Sequence, residues 1–444
     1  MSLASLLKSF TSTMNKKTSP TLKKPLSNST NIKKIYVLSD GKKDEIEEVK
    51  VNVANVVKVE EKPPVEIKLT TVTNLENDLK NYTFEQIYKS LYYYYNLQVK
   101  EEKSIPGLYM ITYNKKERPN IQNKLSPQNR AINQQFRGVI VEKDTNKPLC
   151  YTFEKMTRHL PEDWKLNNCE ISESMDGSQI KVFYYGKAKH WVVSTTRRID
   201  ASNSFFFSDK SFMEMFHEAS HNFDWNTLDK KYCYSFVLCH PENKIVYKHT
   251  IPQLIHVLTR DMTTFSLVNV ELGIPKPRVV TFPNRGVLFK TVKTFPFFQE
   301  GFVIRHKNQF VKIINPKYQQ IKNLRGSSNS LLQNFFELRK TNKIHLFLKY
   351  NPEYTDCFNR FEKWFYNLTV LAYYEYILLR VRKTIEVPQI LPFLRSTLFE
   401  LHGIHLKNKV RITLPLVQQF MSNQPAYLLR RNVDFSRNLP FSFI

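Results

Sequence analysis

Two stretches of this chain hold residue types at spacings that could do chemistry. The first is Glu173-Ser174-Met175-Asp176-Gly177-Ser178, set between β-like runs at 166–171 and 179–185. Its Asp-Gly pair is, taken alone, a common hairpin turn signal. The hydroxyl of Ser174 is a weak nucleophile unless a base stands beside it. The second stretch is His217-Glu218-Ala219-Ser220-His221. On a helix it would set two imidazoles one turn apart with Glu218 as base, the arrangement of a zinc metalloprotease. That chemistry needs a third protein ligand. The next glutamate, Glu242, falls in a strand-like turn, and no typical helix with such a ligand follows. An exposed polar helix face with incidental histidines is the simpler reading.

The elements that must position these residues come from 444 residues, enough for roughly two or three domains. Apolar residues at 41% and aromatics at 13% can build a large core. Against 40 Asp+Glu stand 66 Lys+Arg, a formal charge of +26, which favours a polyanionic partner, nucleic acid foremost. With 10 glycines the chain is a poor match for a glycine-rich nucleotide fold. The five cysteines (Cys150, Cys169, Cys233, Cys239, Cys357) show no zinc spacing, and their odd number suits a reducing compartment. The most apolar helical stretch, 364–379, contains Asn367 and Glu375. It is shorter than the roughly 20 apolar residues of a spanning helix, so it reads as buried and no membrane partner is expected.

Residues 1–77 read as a disordered basic tail. No acid precedes Asp40, while Lys8, Lys16, Lys17, Lys23, Lys24, Lys33 and Lys34 are spread among Ser, Thr, Asn and Pro. Leu3, Leu6, Leu7 and Phe10 could form a transit-peptide stripe, but the tail has no arginine. A solvated arm that touches nucleic acid is the other reading. Order is expected from Tyr82, with Thr83 capping a helix through Gln86 and the helix running to about Leu97. Strand patterns follow at 108–113, 136–142, 149–153, 180–195 (a hairpin), 232–238, 244–249, 301–305 and 310–314. The segment 114–134 reads as loop, 209–221 as helix, and 252–270 mixes both patterns. After Gly326 the apolar period turns helical, as in Phe358, Phe361, Phe365, Leu368, Leu371 and Ala372.

Five segments then take on meaning together. They are Phe136-Arg137-Gly138-Val139-Ile140-Val141-Glu142; Phe153-Glu154-Lys155 with the Glu173 to Ser178 loop; Phe236-Val237-Leu238-Cys239-His240-Pro241-Glu242-Asn243-Lys244-Ile245-Val246; Glu300-Gly301-Phe302-Val303-Ile304; and Val311-Lys312-Ile313-Ile314-Asn315-Pro316-Lys317-Tyr318. In order and spacing they resemble the RNA ligases of the T-even bacteriophage type, within the covalent nucleotidyltransferase superfamily. The resemblance covers roughly residues 80–325. It implies an α+β nucleotidyltransferase domain of the ATP-grasp-like RNA/DNA ligase kind, with mostly antiparallel sheets, over 78–325. An all-α C-terminal domain over 326–444 would follow. It also implies ATP and magnesium as cofactors and RNA as partner. In such ligases a lysine attacks the α-phosphate of ATP, and AMP passes from it to an RNA 5′-phosphate that a 3′-hydroxyl then displaces.

The family's roles can be set on this sequence one residue at a time. Ser174 stands where the nucleophilic lysine belongs, so no catalytic residue is intact. Arg137, Lys155, Glu173, Asp176, Gly177, Glu300 and Lys312 match nucleotide-binding positions. Arg197, with Arg198 beside it, stands roughly where a phosphate-facing lysine is expected. Val237 replaces a carboxylate, and Ile314 replaces the second lysine of the last segment. No metal ligand is assigned. Three lost charges around a retained scaffold read as a catalytically inactive homologue that keeps nucleotide or RNA binding. The alternative is an active ATP-dependent RNA ligase with Lys155 or Lys181 as nucleophile. The zinc metalloprotease reading through His217, Glu218 and His221 is a minor third. An intracellular protein is expected, most simply cytoplasmic, with mitochondrial or virion-associated placement as further readings.

Overall fold

Thr83 and Gln86 form the expected reciprocal cap. The Thr83 hydroxyl accepts the Gln86 N–H at 3.3 Å, and the Gln86 side chain accepts the Thr83 N–H at 2.9 Å. They start helix α1, Phe84–Tyr95, in a computed structural model that describes residues 63–114, 125–326, 328 and 330–437. Residues 1–62, which hold most of the expected basic tail, lie outside the described residues. Helix α1 buries Ile87, Leu91 and Tyr95 and ends at Asn96, whose left-handed φ of 51° an asparagine adopts more readily than most residues.

The chain then enters a four-stranded antiparallel sheet in the order β1 (Leu97–Glu101), β2 (Leu108–Tyr113), β3 (Arg137–Glu142), β4 (Pro148–Cys150). Its core also takes in Ile67, Leu69, Val72, Leu75 and Leu79. Packed structure therefore starts before the expected boundary at 77, because these apolar residues are spaced to bury one side of an extended segment and a short helix. The segment expected as loop holds a second helix, α2, Pro127–Gln135, capped by Ser126. Ile132 is its only large apolar side chain, so it carries almost no apolar period. It is held by Asn133, which donates to the Tyr95 carbonyl at 2.7 Å.

Two further antiparallel sheets follow. The remaining strands are β5 (Glu170–Ser174), β6 (Ser178–Tyr185), β7 (His190–Thr195), β8 (Tyr232–Cys239), β9 (Gln253–Asp261), β10 (Leu267–Val268), β11 (Val279–Val280), β12 (Gly301–His306) and β13 (Gln309–Ile314). One sheet runs β10-β9-β8-β6-β7 and the other β11-β5-β12-β13. Helix α3 is Phe212–Ala219, α4 is Arg285–Thr294 and α5 is Pro316–Leu324. Three expectations change here. The stretch 244–249 is not a strand, because its amides bind a side chain instead, as described below. The ambiguous 252–270 resolves into β9 and β10. Helix α3 stops at Ala219, two residues short of the expected end.

The C-terminal region is helical: α6 (Leu331–Lys340), α7 (Ile344–Tyr350), α8 (Thr355–Tyr376), α9 (Arg395–Asn408), α10 (Leu414–Ser422) and α11 (Ala426–Arg437). The period noted from Phe358 to Ala372 forms its core, with Phe335, Phe336 and Phe347 packed against it. Among the described residues no helix is long and apolar enough to cross a membrane. The region is tied to the sheets at α5, where Tyr318 and Ile321 pack with Val246 and Tyr350. Lys244 adds a bond to the Tyr350 carbonyl at 2.7 Å and an ion pair with Glu353 at 2.8 Å.

Candidate functional site

The Glu173 to Ser178 loop joins β5 of one sheet to β6 of another, so it sits at the seam between them. Its aspartate turns inward. Asp176 Oδ2 accepts the backbone N–H groups of Val246 at 3.0 Å and Tyr247 at 2.9 Å, and its carbonyl lies 2.7 Å from His249 Nε2. Burial raises the Asp176 pKa, and these two amides pull it back. The N–H groups that a strand at 244–249 would have spent on a ladder are used here. Gly177 is needed for close approach: a Cβ would stand 2.5 Å from Val237 Cγ1 and 2.6 Å from the Leu238 carbonyl. The Asp-Gly pair thus fastens the seam and is more than a free turn.

Beside the seam opens a cavity of about 830 Å³. Ser174 lies in its wall, opposite Gly301 across the β5–β12 pairing. The Ser174 hydroxyl donates to Glu300 Oε2 at 2.7 Å. That same oxygen takes the Lys312 ammonium at 2.8 Å, and Oε1 takes Lys322 at 3.0 Å. Burial pushes the Glu300 pKa up, but Lys312 and Lys322 outweigh it and hold the carboxyl at about 2. A carboxylate held this far below its ordinary range is a poor base for the Ser174 proton. Burial lowers the Lys312 pKa, and Glu300 opposes that fall.

The lining is strongly cationic, with seven Lys or Arg residues against three Glu. The three carboxylates are all engaged: Glu170 by Arg305 at 2.6 Å, Glu173 by Arg278, and Glu300 by the two lysines. Arg137 and Lys155 pair with no carboxylate among the described residues. Arg137 is largely enclosed, and burial pulls its pKa down. Lys155 lies 5.3 Å from the centre of the Tyr113 ring.

The structure brings Arg137, Lys155, Glu173, Ser174, Gly177, Glu300 and Lys312 to one cavity, with Val237 and Ile314 in the same wall. Phe236 goes into the core, which fixes the register that turns Val237 to the cavity. Asp176 is behind the wall. Arg197 and Arg198, which follow β7, are not among the residues that line the cavity, and Arg198 pairs with Glu102 at 3.1 Å. Lys181 is fully buried and bonds the Gly138 carbonyl outside the lining. The sequence reading missed Lys322, Arg158 and Arg305. Lys322 lies beyond the last matched segment, and nothing in its local pattern marks it.

The zinc arrangement does not form. His221 falls beyond the end of α3, and Glu218 is bound to Lys210 at 2.7 Å and His240 at 2.9 Å. Helix α3 is too short to set the two histidines one turn apart.

No family model matches the chain. Over 267 residues it is 25% identical to the immediate-early protein ICP-46 homolog of Invertebrate iridescent virus 3, covering 54% of this chain and 59% of that protein. The chain thus spans about three fifths of the length of this curated relative. Among solved structures it is similar to an archaeal ATP-dependent RNA ligase. In form 1 the TM-score is 0.34 at 10% identity, covering 58% of this chain and 65% of the other. In form 2 it is 0.36 at 11% identity, covering 63% and 76%.

Proposed function

We propose that this chain is a ligase-like protein that binds a nucleotide without forming a covalent adduct and that takes nucleic acid as its partner. The observation that carries this is Ser174. Where the resemblance calls for a lysine nucleophile, a hydroxyl is tied to a carboxylate that is too weak a base to activate it. Around it the cavity keeps the parts that would recognise a nucleotide. Its volume falls within the range of small-molecule sites. Arg137, Lys155 and Lys312 offer cationic donors for phosphate, and the rings of Tyr113, Phe153 and Phe310 offer apolar surface.

Calorimetric titration of the full chain with ATP tests the binding half of this reading. Saturable binding that Arg137→Ala weakens supports it. The absence of heat at any ATP concentration, with the protein folded, counts against it.

One observation favours the active-ligase alternative: Lys155 reaches the same cavity and has no carboxylate partner among the described residues. A covalent nucleotide mapped to Lys155 and lost in Lys155→Ala would establish that alternative. Lys181 does not compete, because it is enclosed and bound to a carbonyl.

A further inference from the structure

The resemblance attaches magnesium to ATP, and the residues of this cavity do not fit that ion. Magnesium demands near-octahedral oxygen ligands and is usually held by one or two carboxylates together with phosphate and water. Each carboxylate that lines this cavity is already taken by a cation: Glu170 by Arg305, Glu173 by Arg278, Glu300 by Lys312 and Lys322. At Glu300 both oxygens are used, and Ser174 adds a third donor.

What the cavity offers in its place is a pair of ammonium groups. Lys312 comes from β13 and Lys322 from α5, and they converge on one buried carboxylate. Two positive charges share one negative charge, so one remains uncompensated in the lining. The two lysines are not equivalent. Lys312 sits closer to Glu300 and its side chain is 24% exposed; Lys322 sits farther and its side chain is 39% exposed. Lys322 is therefore the freer of the two to leave Oε1 for an entering anion. Lys312 would still hold Glu300 as it did so. Meanwhile Ile314, on the cavity side of the same strand as Lys312, contributes no charge.

We propose that the cavity takes its nucleotide as the free polyphosphate anion, without a divalent cation, and that Lys322 with Lys312 supplies the positive charge that magnesium would supply elsewhere. This rests on the nucleotide reading above. It also gives Lys322 a function in anion binding beyond neutralising Glu300.

The test is titration of the full chain with ATP and with adenosine, each in excess EDTA and in excess magnesium. ATP is expected to bind in EDTA at least as tightly as in magnesium. Lys322→Ala should weaken ATP by about tenfold or more while leaving adenosine within about twofold, and Lys322→Arg should recover most of the loss. Glu300→Gln, which removes the carboxylate that competes for both lysines, should tighten ATP. ATP binding that disappears in EDTA and returns with magnesium overturns the proposal. So does a Lys322→Ala protein that loses ATP and adenosine alike, since that marks a packing defect. Failure of both ligands to bind in both conditions would instead bring down the nucleotide reading, and this inference with it.

Discussion

The Ser174 hydroxyl and the Glu300 carboxylate lie 2.7 Å apart at the wall of a cationic cavity. Neither is free for the chemistry that the surrounding motif suggests. The serine gives its proton to the hydrogen bond, and the glutamate is fully occupied by Ser174, Lys312 and Lys322.

If Ser174 acts only as this donor, Ser174→Ala should leave ATP affinity within about twofold. It should lower stability by about 1 kcal/mol, the ordinary net worth of one hydrogen bond. Urea unfolding and ATP titration of the same preparation check both halves. A collapse of ATP binding with the fold intact would give Ser174 a direct role toward the ligand.

The Glu300 cluster should also be visible in acid. The folded carboxyl is held at about 2, below its ordinary 4.5. A depressed carboxylate contributes stability that is fully present above about pH 4.5 and is lost as pH falls toward 2. The slope is at most roughly 1.4 kcal/mol per pH unit for one proton. The stability difference between wild type and Glu300→Gln should therefore shrink across that window. Asp176 is shifted the other way, by burial first and with the Glu300 charge adding to it, so it works against this trend, and Glu300→Gln removes part of that shift. A difference that stays constant with pH would show that Glu300 is not held ionised by the lysines.

Asp176 predicts a structural phenotype. In Asp176→Ala the N–H groups of Val246 and Tyr247 lose their acceptor, at about 1–3 kcal/mol for the buried Val246 group and less for the part-buried Tyr247 group, which water can reach. Asp176→Asn keeps an acceptor oxygen and should cost markedly less. Denaturant midpoints of the two variants decide this. Equal, small losses would mean that the loop at 244–249 is held by something else.

Much of this architecture can be read from the residues, and the limits have physical causes. The Thr83 and Gln86 cap, the hairpin in 180–195 and the helical period after Gly326 are local patterns, and local patterns survive folding. Helix α2 was hidden because its stability comes from Ser126 and Asn133 and hardly from an apolar face. The stretch 244–249 has strand composition, but its amides are claimed by an aspartate some seventy residues earlier in the chain. Lys322 reaches Glu300 from α5, 22 residues further along the chain, and no spacing rule anticipates that. Arg197 and Arg198 stand outside the cavity lining, and Arg198 is drawn to Glu102, a contact that no local pattern announces.

With a formal charge of +26 and a cationic cavity lining, the chain should bind single-stranded oligonucleotides with a strong salt dependence. Affinity is expected to fall at least about tenfold between roughly 50 and 200 mM salt. Arg158→Ala, at the cavity lining, should flatten the slope of log affinity against log salt. Fluorescence anisotropy over a salt series reads both, and the absence of binding at the lowest salt would remove nucleic acid as the partner.

The most direct test of the central claim is incubation of the full chain with α-labelled ATP and magnesium, split between a native filter and a denaturing gel. The account predicts label on the native filter and none on the denatured band. It predicts the same for Ser174→Lys, because Val237 still lacks the carboxylate, and Ile314 the lysine, that the resemblance places at those positions. A wild-type band that keeps its label through denaturation would contradict the account.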